Sequence, residues 1–448
     1  MNNKQLLIKK LYLKNYRAFE DFSITFDEQL TVLIATNGKG KTAILDAVAV
    51  SFGTFVNATG LAKGVAFHRE DVRRFKARDT QSNEMEEKYP LTLKVKGSID
   101  HNSNAEWIRE FKKPNSSLTT KDTKELIEYG EKIRNIVAHG EEINLPLISY
   151  YGTGRLWGQK RATKNKKRSE TSRLSGYIDC LDAFSSYKAF KSWYEYICKS
   201  ELEMKIEALE KAYKVLPKNE FTNIRVSLQE AVNQVIQQHS GWEDIVYKQK
   251  AESIIIKHTL HGELLVTELS DGIRSMIGLV ADIAYRAIKL NPHLKNAPKE
   301  TSGIILIDEI DMHLHPKWQQ TVLTDMIKAF PKMQFIVTTH SPLVLTTVKR
   351  EQIRVLGDNE AKTPSEHSFG EDSSVLLAEM MGVSSLPPLE IVDKREAYQD
   401  LVEDREYDTN DAKALRKELI DNYGETNTFM IQMDMLIHKF ESMKKVAK

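Results

Sequence analysis

Cysteine, long apolar runs and net charge are all scarce in this sequence, and each scarcity excludes a class of protein. Only Cys180 and Cys198 are cysteines among 448 residues, too few for a disulfide framework or a cysteine zinc site. No apolar run approaches the roughly 20 residues of a membrane span, and the first residues lack a signal-peptide core. The sequence therefore predicts a cytoplasmic protein without a membrane segment.

The charges of the chain nearly balance. The formal net charge is +1, so the overall charge does not predict nucleic-acid binding. One local exception is KRATKNKKR, from Lys160 to Arg168, which contains no acid and shows no apolar periodicity. It fits either a solvated loop or a contact with the phosphate backbone of a nucleic acid, and both interpretations stay open.

A phosphate-binding loop is predicted between a β-branched strand and a helix near the N-terminus. Residues 35 to 42 read ATNGKGKT and match G-x-x-x-x-G-K-[ST] at every fixed position except the first, which is Ala35. The glycines let backbone N–H groups turn toward phosphates beside a helix N-terminus. Lys41 would reach the β- and γ-phosphates of ATP, and Thr42 would bind Mg²⁺. The expected nucleotide contacts are Asn37, Gly38, Lys39, Gly40, Lys41 and Thr42. The alternative is a plain β-turn-α connection.

Hydrophobic periodicity predicts alternating strands and helices. Two strands in LLIKKLYLKNYRAFEDFSITF precede the loop, one strand, LTLKVKG, is predicted between residues 76 and 120, and LPLISYYG is another. Helical spacing from Ser185 to Gln238, broken at Pro217, predicts a two-helix hairpin rather than a long coiled coil. One helix is predicted from Trp318 to Phe330.

A second anion-facing loop is predicted at residues 269 to 274, which read LSDGIR before an apolar helix. Ser270 offers a hydroxyl and Gly272 a backbone N–H group at the helix N-terminus. The same six residues also fit an N-cap serine before a core helix. On these residues alone both interpretations stay open.

A buried strand that ends in two acids supplies the third element. In GIILIDEIDMHLHP the apolar run ends at Ile307, immediately before Asp308 and Glu309. Beside a P-loop, such a pair gives one acid to Mg²⁺, here Asp308, and one to the attacking water, here Glu309. The His-x-His that follows has no further ligands nearby for a metal site of its own.

Taken in order, ATNGKGKT, LSDGIR, ILIDEID and TTHSP resemble the motifs of ABC-type ATPase heads of the Rad50, SMC, RecF and OLD group. LSDGIR is similar to the L-S-G-G-Q signature loop of this group, and His340 lies where the group has a switch histidine that contacts the γ-phosphate. Arg17 corresponds to an arginine beside the nucleotide. Within the group, DEIDMHLHP, TTHSP and ISYYGTGRLW resemble the Septu anti-phage ATPase family, PtuA, and its retron-associated relatives.

The resemblance implies a homodimer or higher homo-oligomer. Two ATP molecules would be bound between the P-loop of one copy and Ser270 with Gly272 of the other, and hydrolysis at Glu309 would release the contact. The Q-loop residue stays open, with Gln81, Tyr151 and Arg155 as candidates.

Two outputs of such a switch are considered. In Septu systems the nuclease is a separate HNH protein, PtuB, and the segment after His340 shows no Toprim pattern of a strand-ending glutamate followed by D-x-D. The leading interpretation is therefore an ATPase subunit that regulates an HNH partner. The alternative is a RecF- or Rad50-like DNA repair ATPase that binds DNA without a nuclease partner.

The expected fold class is α/β, an ABC-type P-loop ATPase head with a short helical insertion and a helical C-terminal tail. The predicted divisions are an N-terminal lobe at 1–185, the hairpin at 186–239, a C-terminal lobe at 240–385 and the tail at 386–448. The tail is highly charged, with apolar positions such as Leu415 and Leu419 at helical spacing. It is either a cap on its own head or a docking surface for a partner nuclease or another protomer.

Overall fold

The structure is a computed structural model that describes residues 6–76, 85–114, 121–154, 172–183, 188–211, 220–384 and 386–446. The predicted basic patch Lys160–Arg168 and the Q-loop candidates Gln81 and Arg155 lie outside these ranges. The described chain divides into two compact units, one up to Met381 and one from Gly382 onward. The mixed α/β class predicted from the sequence is confirmed.

Strands and helices alternate through the first unit, and the second unit contains helices. The strands are β1 Leu6–Tyr16, β2 Phe19–Thr25, β3 Leu30–Ile34, β4 Arg74–Lys76, β5 Met85–Glu87, β6 Leu91–Ile99, β7 Asn102–Phe111, β8 Leu147–Tyr151, β9 Trp242–Lys248, β10 Ser253–His258, β11 Gly262–Leu265, β12 Gly303–Ile307, β13 Met333–Thr338, β14 Ile353–Leu356 and β15 Ala361–Lys362. The helices are α1 Lys41–Ser51, α2 Gly53–Ala58, α3 Lys124–Ala138, α4 Lys188–Glu210, α5 Glu220–Ser240, α6 Asp271–Leu290, α7 Ala297–Glu300, α8 Pro316–Gln319, α9 Val322–Ala329, α10 Pro342–Leu345, α11 Ser373–Glu379, α12 Glu390–Glu403, α13 Asn410–Tyr423 and α14 Thr428–Val446.

The central sheet of the first unit has the strand order β15-β14-β3-β13-β12-β8 within the described residues. Strands β14, β3, β13, β12 and β8 are parallel, and only β15 pairs in the antiparallel direction. Every residue of β3, β12, β13 and β8 is buried, as expected for a parallel sheet that is covered on both faces. The parallel arrangement brings the carboxyl ends of these strands to one edge.

Two antiparallel sheets of three or more strands accompany the central sheet in the first unit. Strands β2, β1, β6 and β7 form one sheet, and β11, β10 and β9 form another. The prediction of a single strand between residues 76 and 120 is wrong, because β5 and β7 also lie there. Strand β7 carries polar residues at its exposed start, so its apolar alternation is confined to Ala105, Trp107 and the positions after them.

A buried arginine fixes the C-terminal end of α1, the helix that follows the P-loop. Arg109 on β7 is 3% exposed and donates to the carbonyl of Val50, and at 3.1 Å to the carbonyl of Val65. Burial lowers the pKa of Arg109 to about 10. The guanidinium remains charged at neutral pH and complements the partial negative charge at the end of α1.

The hairpin helices α4 and α5 are joined by a buried carboxylate. Glu201 of α4 accepts hydrogen bonds from Arg225 at 2.6 Å, Lys205 at 2.7 Å and Thr222 at 2.9 Å. Burial alone would raise the pKa of Glu201, but these three donors outweigh it and lower the pKa to about 2. The two helices are thus held together by charge as well as by apolar packing.

The single helix predicted from Trp318 to Phe330 is wrong, since two short helices, α8 and α9, occupy this segment. The break falls at Thr321, whose backbone has φ −122° and ψ −17°. The Thr321 hydroxyl lies 2.9 Å from Nε2 of His239, at the end of α5. The break thus coincides with a tertiary contact made by a β-branched residue, in a segment whose apolar periodicity is continuous.

The second unit has a hydrophobic cluster of its own. Its buried members come from α12 to α14 and the turns between them: Tyr398, Val402, Tyr407, Ala412, Leu419, Phe429, Met430 and Met433. This confirms several helices in the C-terminal segment. Across the described residues, no helix combines the length and the apolar character that a membrane crossing needs.

Candidate nucleotide site

Three neighbouring strands bring the sequence motifs to one edge of the central sheet. Strand β13 lies between β3 and β12, and Val337 of β13 is in register with Val32 on one side and Ile307 on the other. Residues 35 to 42 follow β3, Asp308 and Glu309 follow β12, and His340 follows β13. The P-loop, the acid pair and the histidine thus leave the sheet side by side.

The loop before α1 has the backbone that its glycines predict. Gly38 has φ +80°, and Gly40, the N-cap of α1, has φ +92° in the left-handed region. A Cβ atom on Gly40 would lie 2.6 Å from the ring of Phe19, so space and conformation both require glycine there. Ala35 is not among the described residues with positive φ, which explains how alanine replaces the first glycine of the pattern.

Lys41 is held inside the loop rather than extended into solvent. Its side chain is largely buried, and its ammonium group donates to the carbonyl of Ala35 at 3.0 Å. Burial lowers the pKa of Lys41, while Asp308, Glu309 and Asp311 act in the opposite direction. An anion at the loop would stabilise the charged ammonium further.

Thr42 and Asp308 join the P-loop directly to the end of β12. The Thr42 hydroxyl donates to Oδ2 of Asp308 at 2.8 Å, although the two residues are far apart in the sequence. The second oxygen, Oδ1, accepts a 2.6 Å hydrogen bond from Thr338 on β13. Asp308 is 3% exposed, so its position is fixed by the surrounding protein.

These atoms form a donor set that suits Mg²⁺. Magnesium prefers hard oxygen ligands and is bound in nucleotide sites by one or two protein groups together with substrate phosphates. Thr42 provides a hydroxyl, and Asp308 provides a carboxylate 2.8 Å away. The residues therefore fit the metal that the P-loop pattern implies.

Glu309 has a strained backbone at the position predicted to activate water. Its φ is +48°, a conformation that costs a non-glycine residue on the order of 1 kcal/mol or more. Its N–H group donates to the hydroxyl of Thr338 at 2.8 Å, and the N–H group of Ile310 donates to the Thr338 carbonyl at 3.0 Å. These contacts hold a half-buried carboxylate beside Asp308.

The two predicted residues at the rim of the site differ in their surroundings. His340 is exposed between β13 and α10. Arg17 has φ +48° and donates to Asp46 at 2.6 Å and to Asp71 at 2.8 Å. Burial alone would lower the pKa of Arg17, but the two carboxylates raise it above its ordinary value. Arg17 is therefore a fixed cation next to α1.

Ser270 and Gly272 lie at the start of α6, as the sequence predicts, but only one of them is buried. Ser270 is exposed and is the N-cap residue of α6. In the described structure its hydroxyl accepts no hydrogen bond from the backbone N–H groups of the first turn. A Cβ atom on Gly272 would lie 2.2 Å from the carbonyl oxygen of His313. Gly272 is thus required by a close approach within one chain, and the exposed Ser270 hydroxyl is left to solvent.

The two tyrosines of ISYYGTGRLW contact carboxylates on two different helices. Tyr151, a Q-loop candidate, is 0% exposed and donates to Asp282 on α6 at 2.8 Å. Tyr150 donates to Asp46 on α1 at 2.9 Å. Alternation along a strand predicts opposite directions for neighbouring side chains, but nothing in the sequence shows which helices they meet.

Among the described residues, no cluster of three or more histidine, cysteine or acidic side chains that could hold a metal ion occurs.

The fold and the placement of these motifs define a P-loop ATPase of the ABC type. The AAA domain family matches residues 10–240, which is more than half of the chain. The chain belongs to this family.

Three relatives are similar to this chain. The Retron Vc95 probable ATPase of Vibrio cholerae serotype O1 biovar El Tor is 28% identical over 93% of this chain and 87% of its own length. The Retron Ec83 probable ATPase of Escherichia coli is 26% identical over 97% of this chain and 87% of its own length. The Septu protein PtuA of Bacillus mycoides is 37% identical over 27% of this chain and 17% of its own length.

Proposed function

We propose that this chain is the ATP-binding and hydrolysing subunit of an anti-phage defence system, similar to Septu PtuA. Two copies bind two ATP molecules between them, and the nucleotide state regulates a separate HNH nuclease of the PtuB kind. The observation that carries the ATPase part is the 2.8 Å hydrogen bond between Thr42 and Asp308, which unites the P-loop with the acid pair.

The residues at the sheet edge divide the work of phosphoryl transfer to water. Lys41 moves from the Ala35 carbonyl to the β- and γ-phosphates, where the ligand replaces its present partner. Thr42 and Asp308 hold Mg²⁺, which neutralises negative charge on the phosphates when it is bound. Glu309 accepts a hydrogen bond from the attacking water and orients it toward the γ-phosphate. His340, exposed beside it, contacts the γ-phosphate.

The second copy completes each site through its signature loop. Ser270 is exposed at the N-terminus of α6, where a hydroxyl and the partial positive charge of the helix favour a phosphate. In this arrangement ATP is a shared ligand of both copies and stabilises the dimer by mass action. Hydrolysis removes that stabilisation, so the dimer is a two-state switch.

The relatives, rather than the site, support the choice of a defence function. The two retron ATPases match nearly the whole chain, and Septu PtuA matches part of it at a higher identity. The rival function is DNA repair, since a stretch of 99 residues is 29% identical to the DNA replication and repair protein RecF of Oceanobacillus iheyensis. The sequence match to RecF covers 21% of this chain, so we favour the defence function.

The ATPase proposal is tested by comparing Glu309→Gln and Lys41→Ala with the unmodified protein. Glu309→Gln should bind ATP and lose most hydrolysis, because the carboxylate acts on water in the transition state. Lys41→Ala should lose ATP binding. Glu351→Gln, which changes an exposed carboxylate paired with Arg350, is the matched control and should retain full activity. Wild-type turnover in Glu309→Gln would refute the role given to this carboxylate.

The partner proposal is tested by co-expressing the chain with a neighbouring HNH protein. We expect the two to co-purify, and we expect the Glu309→Gln complex to differ from the unmodified complex in nuclease activity. A RecF-like function predicts instead that the purified chain binds DNA in an ATP-dependent manner and retains no HNH protein. That result would favour the DNA repair function over the defence function.

A further inference from the structure

Two adjacent tyrosines at the end of β8 contact the two helices that carry the anion-binding loops. The Tyr150 hydroxyl donates to Oδ1 of Asp46 at 2.9 Å, and the Tyr151 hydroxyl donates to Oδ2 of Asp282 at 2.8 Å. Asp46 lies on α1, one turn after Thr42, and Asp282 lies on α6, the helix that begins after Ser270. One strand end is therefore bonded to both helices.

Both hydroxyls stay protonated at working pH and can donate to these carboxylates. Tyr150 and Tyr151 are 2% and 0% exposed. Burial, reinforced by the neighbouring carboxylates Asp46 and Asp282, raises the pKa of each tyrosine well above its ordinary value. Each hydrogen bond is thus a charge-assisted contact, buried at Asp282 and partly buried at Asp46, and a shift of either helix would strain it.

Each carboxylate also accepts a hydrogen bond from an arginine, Asp46 on its other oxygen and Asp282 on the same Oδ2 that accepts from Tyr151. Asp46 also accepts from Arg17 at 2.6 Å, and Asp282 also accepts from Arg286 of its own helix at 2.7 Å. Arg286 in turn donates to the carbonyls of Gly176 and Ile178 at 2.8 and 2.9 Å. The contacts of the tyrosines are therefore parts of a packed polar network rather than isolated surface bonds.

The same strand end also touches the acid pair. The N–H group of Asp308 donates to the carbonyl of Tyr151 at 2.8 Å, and Tyr151 is in register with Ile307 of β12. A displacement of β8 would therefore disturb its hydrogen bonds to α1, to α6 and to the backbone of Asp308, the predicted metal ligand.

We infer that Tyr150 and Tyr151 are positioning residues that couple the P-loop helix of each chain to its own signature helix. This inference rests on the proposed function, in which the P-loop and the signature loop of one chain serve different composite sites. ATP bound at one site orders α1, the tyrosine pair transmits the change to α6, and α6 presents Ser270 to the other site. The two sites of the dimer are therefore cooperative.

The test is the ATP dependence of hydrolysis by the full chain in the presence of Mg²⁺. Two coupled sites allow a Hill coefficient between 1 and about 2. We expect the unmodified protein to exceed 1 and both Tyr151→Phe and Tyr150→Phe to fall to about 1. Binding of a non-hydrolysable ATP analogue should remain in both variants, because neither hydroxyl contacts the P-loop.

Tyr194→Phe is the matched control. Tyr194 is also 0% exposed and its hydroxyl donates to the Ile245 carbonyl at 2.6 Å, but it lies in the α4 hairpin. It should keep the wild-type Hill coefficient. Thermal unfolding of all three variants separates loss of the fold from loss of coupling, and Tyr150→Phe carries the test if Tyr151→Phe does not fold.

Each other outcome has a distinct meaning. A wild-type Hill coefficient in folded Tyr151→Phe and Tyr150→Phe overturns the inference, as does an equal loss in Tyr194→Phe. A Hill coefficient of 1 in the unmodified enzyme also overturns it but leaves the ATPase proposal intact. Absence of hydrolysis in the unmodified protein refutes the proposed function itself.

Discussion

The hydroxyl of Thr338 donates a 2.6 Å hydrogen bond to Asp308 and accepts one of 2.8 Å from the backbone of Glu309. A single side chain on β13 thus orients both acids that follow β12. Because Asp308 also accepts from Thr42, each of its oxygens has a protein partner in this conformation. Thr338 is therefore the residue that sets the geometry of the acid pair without itself carrying charge.

Replacing Thr338 by valine should lower ATP turnover strongly. Valine fills the same volume but leaves the buried Asp308 oxygen and the Glu309 N–H group without their partner. Loss of a hydrogen bond to a charged group costs about 1.5–3 kcal/mol, so we expect a fall of roughly tenfold or more in turnover.

Steady-state hydrolysis measures this effect, and Thr338→Ser should recover most of the activity because it restores the hydroxyl. Thr59→Val is the control, since the buried Thr59 hydroxyl donates to the Val56 carbonyl at the end of α2. Unchanged turnover in Thr338→Val would show that the acid pair does not depend on this contact.

The composite site predicts recovery of activity in mixed dimers. Lys41→Ala and Ser270→Arg should each inactivate the homodimer. In a mixed dimer one site carries both defects and the other carries neither, so we expect up to half of the wild-type rate. Ser270 is chosen because it is exposed, whereas any side chain at Gly272 would collide with the His313 carbonyl of its own chain.

Differently tagged chains purified through both tags provide the verified mixed dimers for this assay. Sites that are completed within one chain would give no recovery, since each chain then carries a defect in its only site. Complete inactivity of the verified mixed dimers would thus exclude action between chains.

The hairpin should lose stability in acid through Glu201. Its pKa of about 2 lies below the ordinary value of 4.5, so the folded state favours the ionised form. The stabilisation is present above pH 4.5 and is lost as the pH falls from 4.5 to about 2. This difference in pKa corresponds to at most about 3 kcal/mol.

Denaturant unfolding at pH 7 and at pH 3 measures this contribution. Glu201→Gln should be less stable than the unmodified protein at pH 7, because Arg225 loses its buried charged partner, and the gap should narrow at pH 3. Glu207→Gln changes an exposed carboxylate on the same helix and should have little effect at either pH. An equal gap at both pH values would contradict the assignment of the stabilisation to Glu201.

The parts of the site that the sequence predicts are those whose chemistry lies in consecutive residues. The P-loop needs glycine at fixed positions near Lys41, and the acid pair needs a buried strand that ends immediately before Asp308. The contacts of Thr338 with Asp308 and of Tyr151 with Asp282 join residues 30 and 131 positions apart. Such pairs depend on which elements the fold brings together, and local periodicity contains no information on them.

The same reason explains the errors in the predicted elements. Strand β7 begins with exposed polar residues, so its apolar alternation is too short to be recognised. The helix break at Thr321 occurs where this residue contacts His239, more than 80 positions away in the sequence. Ala35 is a local case, since it is not among the described residues with positive φ and alanine can therefore occupy the first position of the loop pattern.

The C-terminal unit offers a face on which docking of the proposed HNH partner can be tested. Ile431 and Met435 lie one turn apart on α14 and are 42% and 68% exposed, although the helix also contributes Met430 and Met433 to the buried cluster of the unit. An exposed apolar pair of this kind suits a protein interface, in which Met is enriched. We expect Met435→Asp to weaken co-purification with the HNH protein while ATP hydrolysis is retained, because the residue lies outside the first unit and its P-loop.

Gln432→Asp is the matched control, since it adds the same charge to an exposed position of the same helix. It should retain the partner, because it removes no apolar surface. Quantitative pull-down with the tagged HNH protein, together with the ATPase rate of each variant, separates the two effects. If Met435→Asp holds the nuclease as firmly as the unmodified chain does, this face of α14 is not the docking surface. If Met435→Asp loses ATP hydrolysis as well, the C-terminal unit is instead needed for the ATPase activity itself.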